Sequence, residues 1–138
     1  RLVVYGAVED RAACCGALIA WLACRAREAL VPRLDRLARE MGFRYREAFI
    51  RGQKTRWASC SSSGRINLNY KLLFLEPEQV RCILLHELCH TRVLDHSSRF
   101  WQLLSRHEPE CRTIARGMRD AWRRVPAWVE PPDGEEGG

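Results

Sequence analysis

The chain has 138 residues, 46% hydrophobic and 29% charged, with a formal net charge of +6. That length suits one domain around one core, and that balance excludes a disordered chain. The longest uncharged run, between Arg11 and Arg25, is too short for a membrane span of ~20 apolar residues, so the reading is cytoplasmic with no membrane partner.

The first residue is Arg1 rather than Met, which is read as a processed product or a piece of a longer chain. Residues 2–5 are apolar and β-branched and are expected to form a short strand. Glu9 and Asp10 are placed to open a helix, their charges complementing its N-terminal dipole, and they do not fit a signal peptide's basic flank. Ala17, Leu18, Trp21 and Leu22 follow helical spacing. Pro32 is expected to mark a break or the first turn of a second helix, which carries Leu34, Leu37, Ala38 and Met41 to a stop at Gly42. Residues 44–51 and 54–60 read as strands, and residues 61–64 (Ser-Ser-Ser-Gly) as a turn. Ile66, Leu68 and Tyr70 alternate with Asn67 and Asn69, as on a half-buried strand. Pro77 suits a helix start, and that helix runs through Val80, Ile83, Leu84 and Leu88. Ser97 and Ser98 are cap candidates for a helix holding Phe100, Trp101 and Leu104. Pro109 starts a last one, with Cys111, Ile114, Ala115, Met118 and Trp122 on one face.

These elements predict an α+β domain over residues 1–125: a small antiparallel sheet packed on one helix, with flanking helices. Residues 126–138 are assigned to a disordered tail. The seven cysteines have no disulfide-framework spacing and no C-x-x-C pair, so reduced, buried thiols are expected.

Residues 86–90 read His-Glu-Leu-Cys-His, the H-E-x-x-H pattern. Four residues along a helix advance about 6 Å and return to nearly the same face, so His86 and His90 can grip one Zn²⁺. Glu87 stands at the edge of that face, placed to meet a water on the metal. His96 follows after five residues, the metzincin gap, although Val93 stands where that pattern has Gly. Asp95 is expected to end the metal helix in a left-handed conformation and turn His96 back towards the ion. Three protein ligands leave a fourth position open, the catalytic arrangement. Glu87 would take the water's proton and pass it to the leaving group. A closed Cys82/His86/His90 site is the competing arrangement, disfavoured because the three climb too far along the helix for one ion. His107 is read as a surface residue.

On these residues the chain resembles the YgjP-like metallopeptidase domain family, a zincin-type group related to SprT-like and WLM proteases. The resemblance rests on Lys54-Thr55-Arg56-Trp57-Ala58-Ser59-Cys60, Ile66-Asn67-Leu68-Asn69, His86 to His90, His96-Ser97 and Phe100-Trp101. It covers roughly residues 16–122. It implies a zinc site of His86, His90 and His96, Glu87 as base, and a small sheet beside a zincin-type metal helix. Two positions depart from the family pattern: Ala58 stands where Gly is usual, and Asp95 where Asn is usual. The family's N-terminal β region is also shorter here.

By the same resemblance, the strand around residues 65–70 is the sheet edge that would pair with an extended peptide. Arg56, Asn67, Asn69 and Tyr70 are its substrate-binding candidates, each with a structural alternative: a salt bridge for Arg56, loop tethering for the asparagines, packing for Tyr70. Trp57, Phe100 and Trp101 are read as core. The expected function is a zinc metallopeptidase acting on peptide or unfolded protein. Two other functions compete. One is a zinc hydrolase of a nucleotide phosphoanhydride, with Arg56 or Lys54 on phosphate. The other is a nucleic-acid-associated module with a residual metal site, suggested by the basic charge. Oligomeric state has no sequence signature.

Overall fold

The computed structural model describes residues 11–129. The strand expected at residues 2–5, the acidic helix start and the tail at residues 131–138 lie outside the described residues.

Helix α1, Arg11–Met41, is a single helix of 31 residues with Pro32 inside it, not two helices. Leu22, Ala26, Leu30, Leu34, Leu37 and Ala38 recur at helical spacing across Pro32, and each is at most 4% exposed. An interior proline costs ~3 kcal/mol. Burial of each large apolar side chain returns ~1.5–3 kcal/mol, so the continuous stripe outweighs the break. Gly42 ends the helix at φ 76°, where a side chain would be strained. The Phe43 N–H then reaches back to the Ala38 carbonyl at 2.8 Å, closing a Schellman-type cap.

Three short strands follow: β1 Glu47–Arg51, β2 Ala58–Cys60 and β3 Arg65–Asn69. The α+β class with one small sheet stands, but the sheet is mixed rather than antiparallel. Its order is β1-β3-β2, with β3 antiparallel to β2 and parallel to β1. The Ser61–Gly64 turn, with Gly64 at φ 85°, folds β3 back beside β2. The 52–57 loop has already carried the chain past β3, so β1 meets it from the other side, pointing the same way. Strand β3 is therefore central and paired on both sides, and among the described residues the sheet edge nearest the next helix is β2, not the 65–70 strand.

A 3₁₀ turn, Tyr70–Phe74, leads to helix α2, Pro77–His90. Its start is built from Pro77 in the first turn and from Gln79, whose Oε1 accepts the Glu76 N–H at 3.0 Å. Leu84, Leu85 and Leu88 of α2 are 0% exposed, as are Ile66 and Leu68 of β3, so α2 and the sheet share one core. Helix α3, Ser98–His107, and helix α4, Cys111–Arg116, pack on the other side of α2. The last predicted helix thus lasts only six residues before a 3₁₀ stretch, Gly117–Arg124. Trp122 of that stretch stacks on Trp57 with ring centroids 3.9 Å apart, fastening it to the 52–57 loop. A further 3₁₀ turn, Ala127–Val129, buries Val129 completely, although these residues were assigned to the tail. No described helix is long and apolar enough to cross a membrane.

Candidate metal centre

His86 and His90 lie one turn apart on α2, and His96 comes back to them from the 91–97 connection. The three Nε2 atoms form a near-equilateral triangle: 3.2 Å for His86–His90, 3.1 Å for His90–His96 and 3.2 Å for His96–His86. Asp95 does not end the helix as predicted. The helix stops at His90, where the Thr91 hydroxyl and the Thr91 and Val93 N–H groups take up its last carbonyls. The turn is spread over several residues, so neither Gly nor a left-handed Asp is needed. Asp95 Oδ1 instead accepts the Ser97 N–H at 3.3 Å, just after His96.

The triangle fits a metal better than it fits hydrogen bonding. His90 Nδ1 donates to the Val93 carbonyl at 2.9 Å, which leaves its Nε2 a bare lone pair. Each Nε2 carries either a proton or a lone pair, so at least one edge of the triangle always faces like with like, and a single N–H can point straight at only one of its two neighbours. A cation at ~2.0–2.1 Å from three tetrahedral nitrogens needs them ~3.3–3.4 Å apart, close to what is seen. Burial, then His90 and His96, drives His86 down to about 4, and burial also lowers His90. Both rings are thereby held neutral, the form that ligates. Phe100, wholly buried, lies beneath all three rings and stacks on His90 at 4.4 Å between centroids.

Glu87 is 6% exposed, and burial pushes its carboxyl up to about 7 against the opposing charge of Arg56. A cavity of about 270 Å³ opens beside it, bordered by His86, Glu87, Arg56, Trp57 and Ala58 on one side. Of the substrate-binding candidates, only Arg56 lines this cavity. Asn67 points to the sheet face opposite Ile66 and Leu68, where it accepts from Arg51 Nε and donates to Ser59 Oγ, both at 3.3 Å. Asn69 is fully buried and tethers the 52–57 loop, its Nδ2 donating to the Gln53 and Arg56 carbonyls at 2.7 Å each. Tyr70 is packed at 6% exposure with its ring against Gly52, where a Cβ would stand 2.4 Å from the phenol oxygen. His107 is apart from the cluster, tilted against Phe43 at 5.0 Å.

Sequence reasoning missed two features. Cys82 and Cys111 are joined as a disulfide across 29 residues, which corrects the expectation of reduced thiols for these two, while Cys24, Cys60 and Cys89 are free, and removes Cys82 from the competing ligand set. Nothing in their spacing announces the pair, because α3 intervenes and only packing brings α4 against α2. Cys60 on β2 lies near Glu87, and burial followed by that carboxylate's charge pushes its thiol up to about 11.

Known proteins share the family signature and the fold. No curated protein matches the chain. The crystal structure of the Pyrococcus abyssi abylysin metallopeptidase zymogen is similar, with a TM-score of 0.54 at 33% identity, over 62% of this chain and 88% of that one. That of the Methanocaldococcus jannaschii jannalysin metallopeptidase zymogen is similar in fold, with a TM-score of 0.53 at 22% identity and the same shares covered. The profile of the YgjP-like, metallopeptidase domain matches residues 2–121. With that match spanning most of the chain, the protein belongs to the YgjP-like metallopeptidase domain family.

Proposed function

We propose that this metallopeptidase-family domain is a zinc-dependent hydrolase of peptide bonds in peptides or unfolded proteins. The observation that carries the reading is the convergence of three imidazole Nε2 atoms at 3.1–3.2 Å, beside a buried carboxylate and an open cavity. His86, His90 and His96 would hold the ion, and three neutral imidazoles are a ligand set that suits zinc. Bound there, zinc supplies Lewis acidity towards water and the substrate carbonyl.

The chain's own residues supply the rest. Glu87 accepts a proton from water at its carboxylate and delivers it to the departing amine nitrogen. The Val93 carbonyl fixes the His90 ring, and Phe100 supports the three imidazoles from below. The β2 edge, unpaired among the described residues and with Ala58 beside the cavity, offers backbone groups to an extended substrate. The Arg56 guanidinium is the cation for charge developing on the substrate carbonyl oxygen.

The test measures zinc by mass spectrometry and turnover on an unfolded protein in the same preparations. Glu87→Gln should keep about one zinc per chain and lose ~10²–10⁴-fold in turnover. His96→Ala should lose the zinc. Undiminished turnover in Glu87→Gln would refute the mechanism. Full zinc binding with no cleavage of any peptide would refute the substrate class.

A further inference from the structure

The cavity beside Glu87 is walled on its far side by helix α4 and the residues after it. Ile83 and Leu104 form its apolar floor, and Ile114, Ala115 and Met118 its outer wall. At about 270 Å³ it exceeds the ~150 Å³ that encloses a benzene ring, and it is near the small end of ligand pockets at ~300 Å³. It therefore has room for one large side chain, not for a length of peptide. Both disulfide cysteines also line it. Cys82 stands one turn before His86 on α2, and Cys111 is the first residue of α4. Helix α4 has six residues, far short of the ~12–15 needed for a helix to persist unaided. Its placement depends on what holds it, and the covalent tie to α2 lies directly under the wall.

Resting on the peptidase reading, we propose that this cavity selects one bulky apolar side chain beside the scissile bond, and that the Cys82–Cys111 disulfide keeps its wall in place, so that reduction lowers the selectivity. His86 and Glu87 border the cavity, so a side chain in it sits next to the bond that water, activated there, would attack. Two-electron reduction breaks the S–S bond and places a proton on each sulfur. With a phosphine as reductant, water supplies those protons and its oxygen leaves as phosphine oxide. Helix α4 then keeps the Trp57–Trp122 stack after it but loses its anchor at Cys111.

The experiment maps by mass spectrometry every bond that the zinc-loaded full chain cuts in an unfolded protein. Leu, Ile, Met or Phe should occupy one of the two flanking positions at roughly 10-fold above its background frequency, as burial of such a side chain implies. Ala115→Trp, at an exposed position on the outer wall, should erase that enrichment. A water-soluble phosphine should lower it at least ~3-fold with zinc retained. A flat cleavage pattern, or one that Ala115→Trp leaves unaltered, overturns the pocket. Enrichment that survives complete reduction overturns the role of the disulfide. If no bond is cut at all, the peptidase reading has failed, and the pocket is judged separately by titrating N-acetyl-phenylalaninamide while following the Met118 methyl resonance. A shift that Ala115→Trp abolishes sustains the pocket, and no shift overturns it.

Discussion

Glu87 and His86 are adjacent in sequence and face opposite ionisation problems. Burial raises the Glu87 carboxyl from 4.5 to about 7, so a metal-free native chain holds a proton there that the unfolded chain has released. Stability from this group is complete below pH 4.5 and is lost as pH rises to about 7. His86 falls from 6.5 to about 4, so its stability is complete above pH 6.5 and is lost as pH drops to about 4. Each shift corresponds to about 3 kcal/mol, and between pH 4.5 and 6.5 the two slopes oppose each other. Urea denaturation of metal-free Glu87→Gln should therefore show two differences from the native chain. The variant should be more stable at pH 8, by up to about 3 kcal/mol. It should also lose stability steadily on acidification below pH 6.5, where the native chain shows little change. Matching curves for the two proteins would mean that Glu87 is not buried as described.

At the scale of elements, the 52–57 loop decides whether Arg56, Trp57 and Ala58 border the cavity. Asn69 holds that loop by two carbonyls and also accepts the Lys71 N–H on Oδ1 at 3.0 Å. Asn69→Ala removes a partner from three backbone groups, of which the Gln53 carbonyl keeps Lys71 Nζ at 2.9 Å, and should cost about 2–4 kcal/mol in chemical denaturation. Asn67→Ala, with two 3.3 Å contacts and no loop to tether, should cost under about 1 kcal/mol. Equal costs would refute the tethering role. The two asparagines are two residues apart on one strand and look alike in the sequence. Which of them is covered depends on the path of a loop that neither belongs to. The sheet order has the same origin: alternation of Ile66 and Leu68 with Asn67 identifies a strand, but nothing in that strand says whether it will be an edge or the centre.

For the whole molecule, the imidazole cluster joins α2 to the 91–97 connection and rests on Phe100 of α3, so an ion there links separate elements. A ligand that binds only the folded state stabilises it by about 2.7 kcal/mol at 100 times its dissociation constant. The melting temperature should accordingly climb with free zinc and fall on chelation, and His96→Ala should make it indifferent to both. A native protein whose melting ignores zinc would show that the triangle does not bind it.

Local chemistry was enough to determine some of this protein from sequence alone. The spacing of His86, Glu87 and His90 is a property of one helix, and a helix's periodicity is written in its own residues. The return of His96 over five residues is nearly as local. The α+β class and most element positions follow from short-range hydrophobic patterning. Other features depended on which surfaces meet. Pro32 predicts a break, yet one apolar stripe buried against the sheet and α2 carries α1 through it. The parallel pairing of β1 with β3 depends on the route of the intervening loop. The Cys82–Cys111 bond and the cavity it lines exist because α4 folds back onto the metal helix across α3. That juxtaposition comes from packing between residues distant in the chain, and no local pattern encodes it.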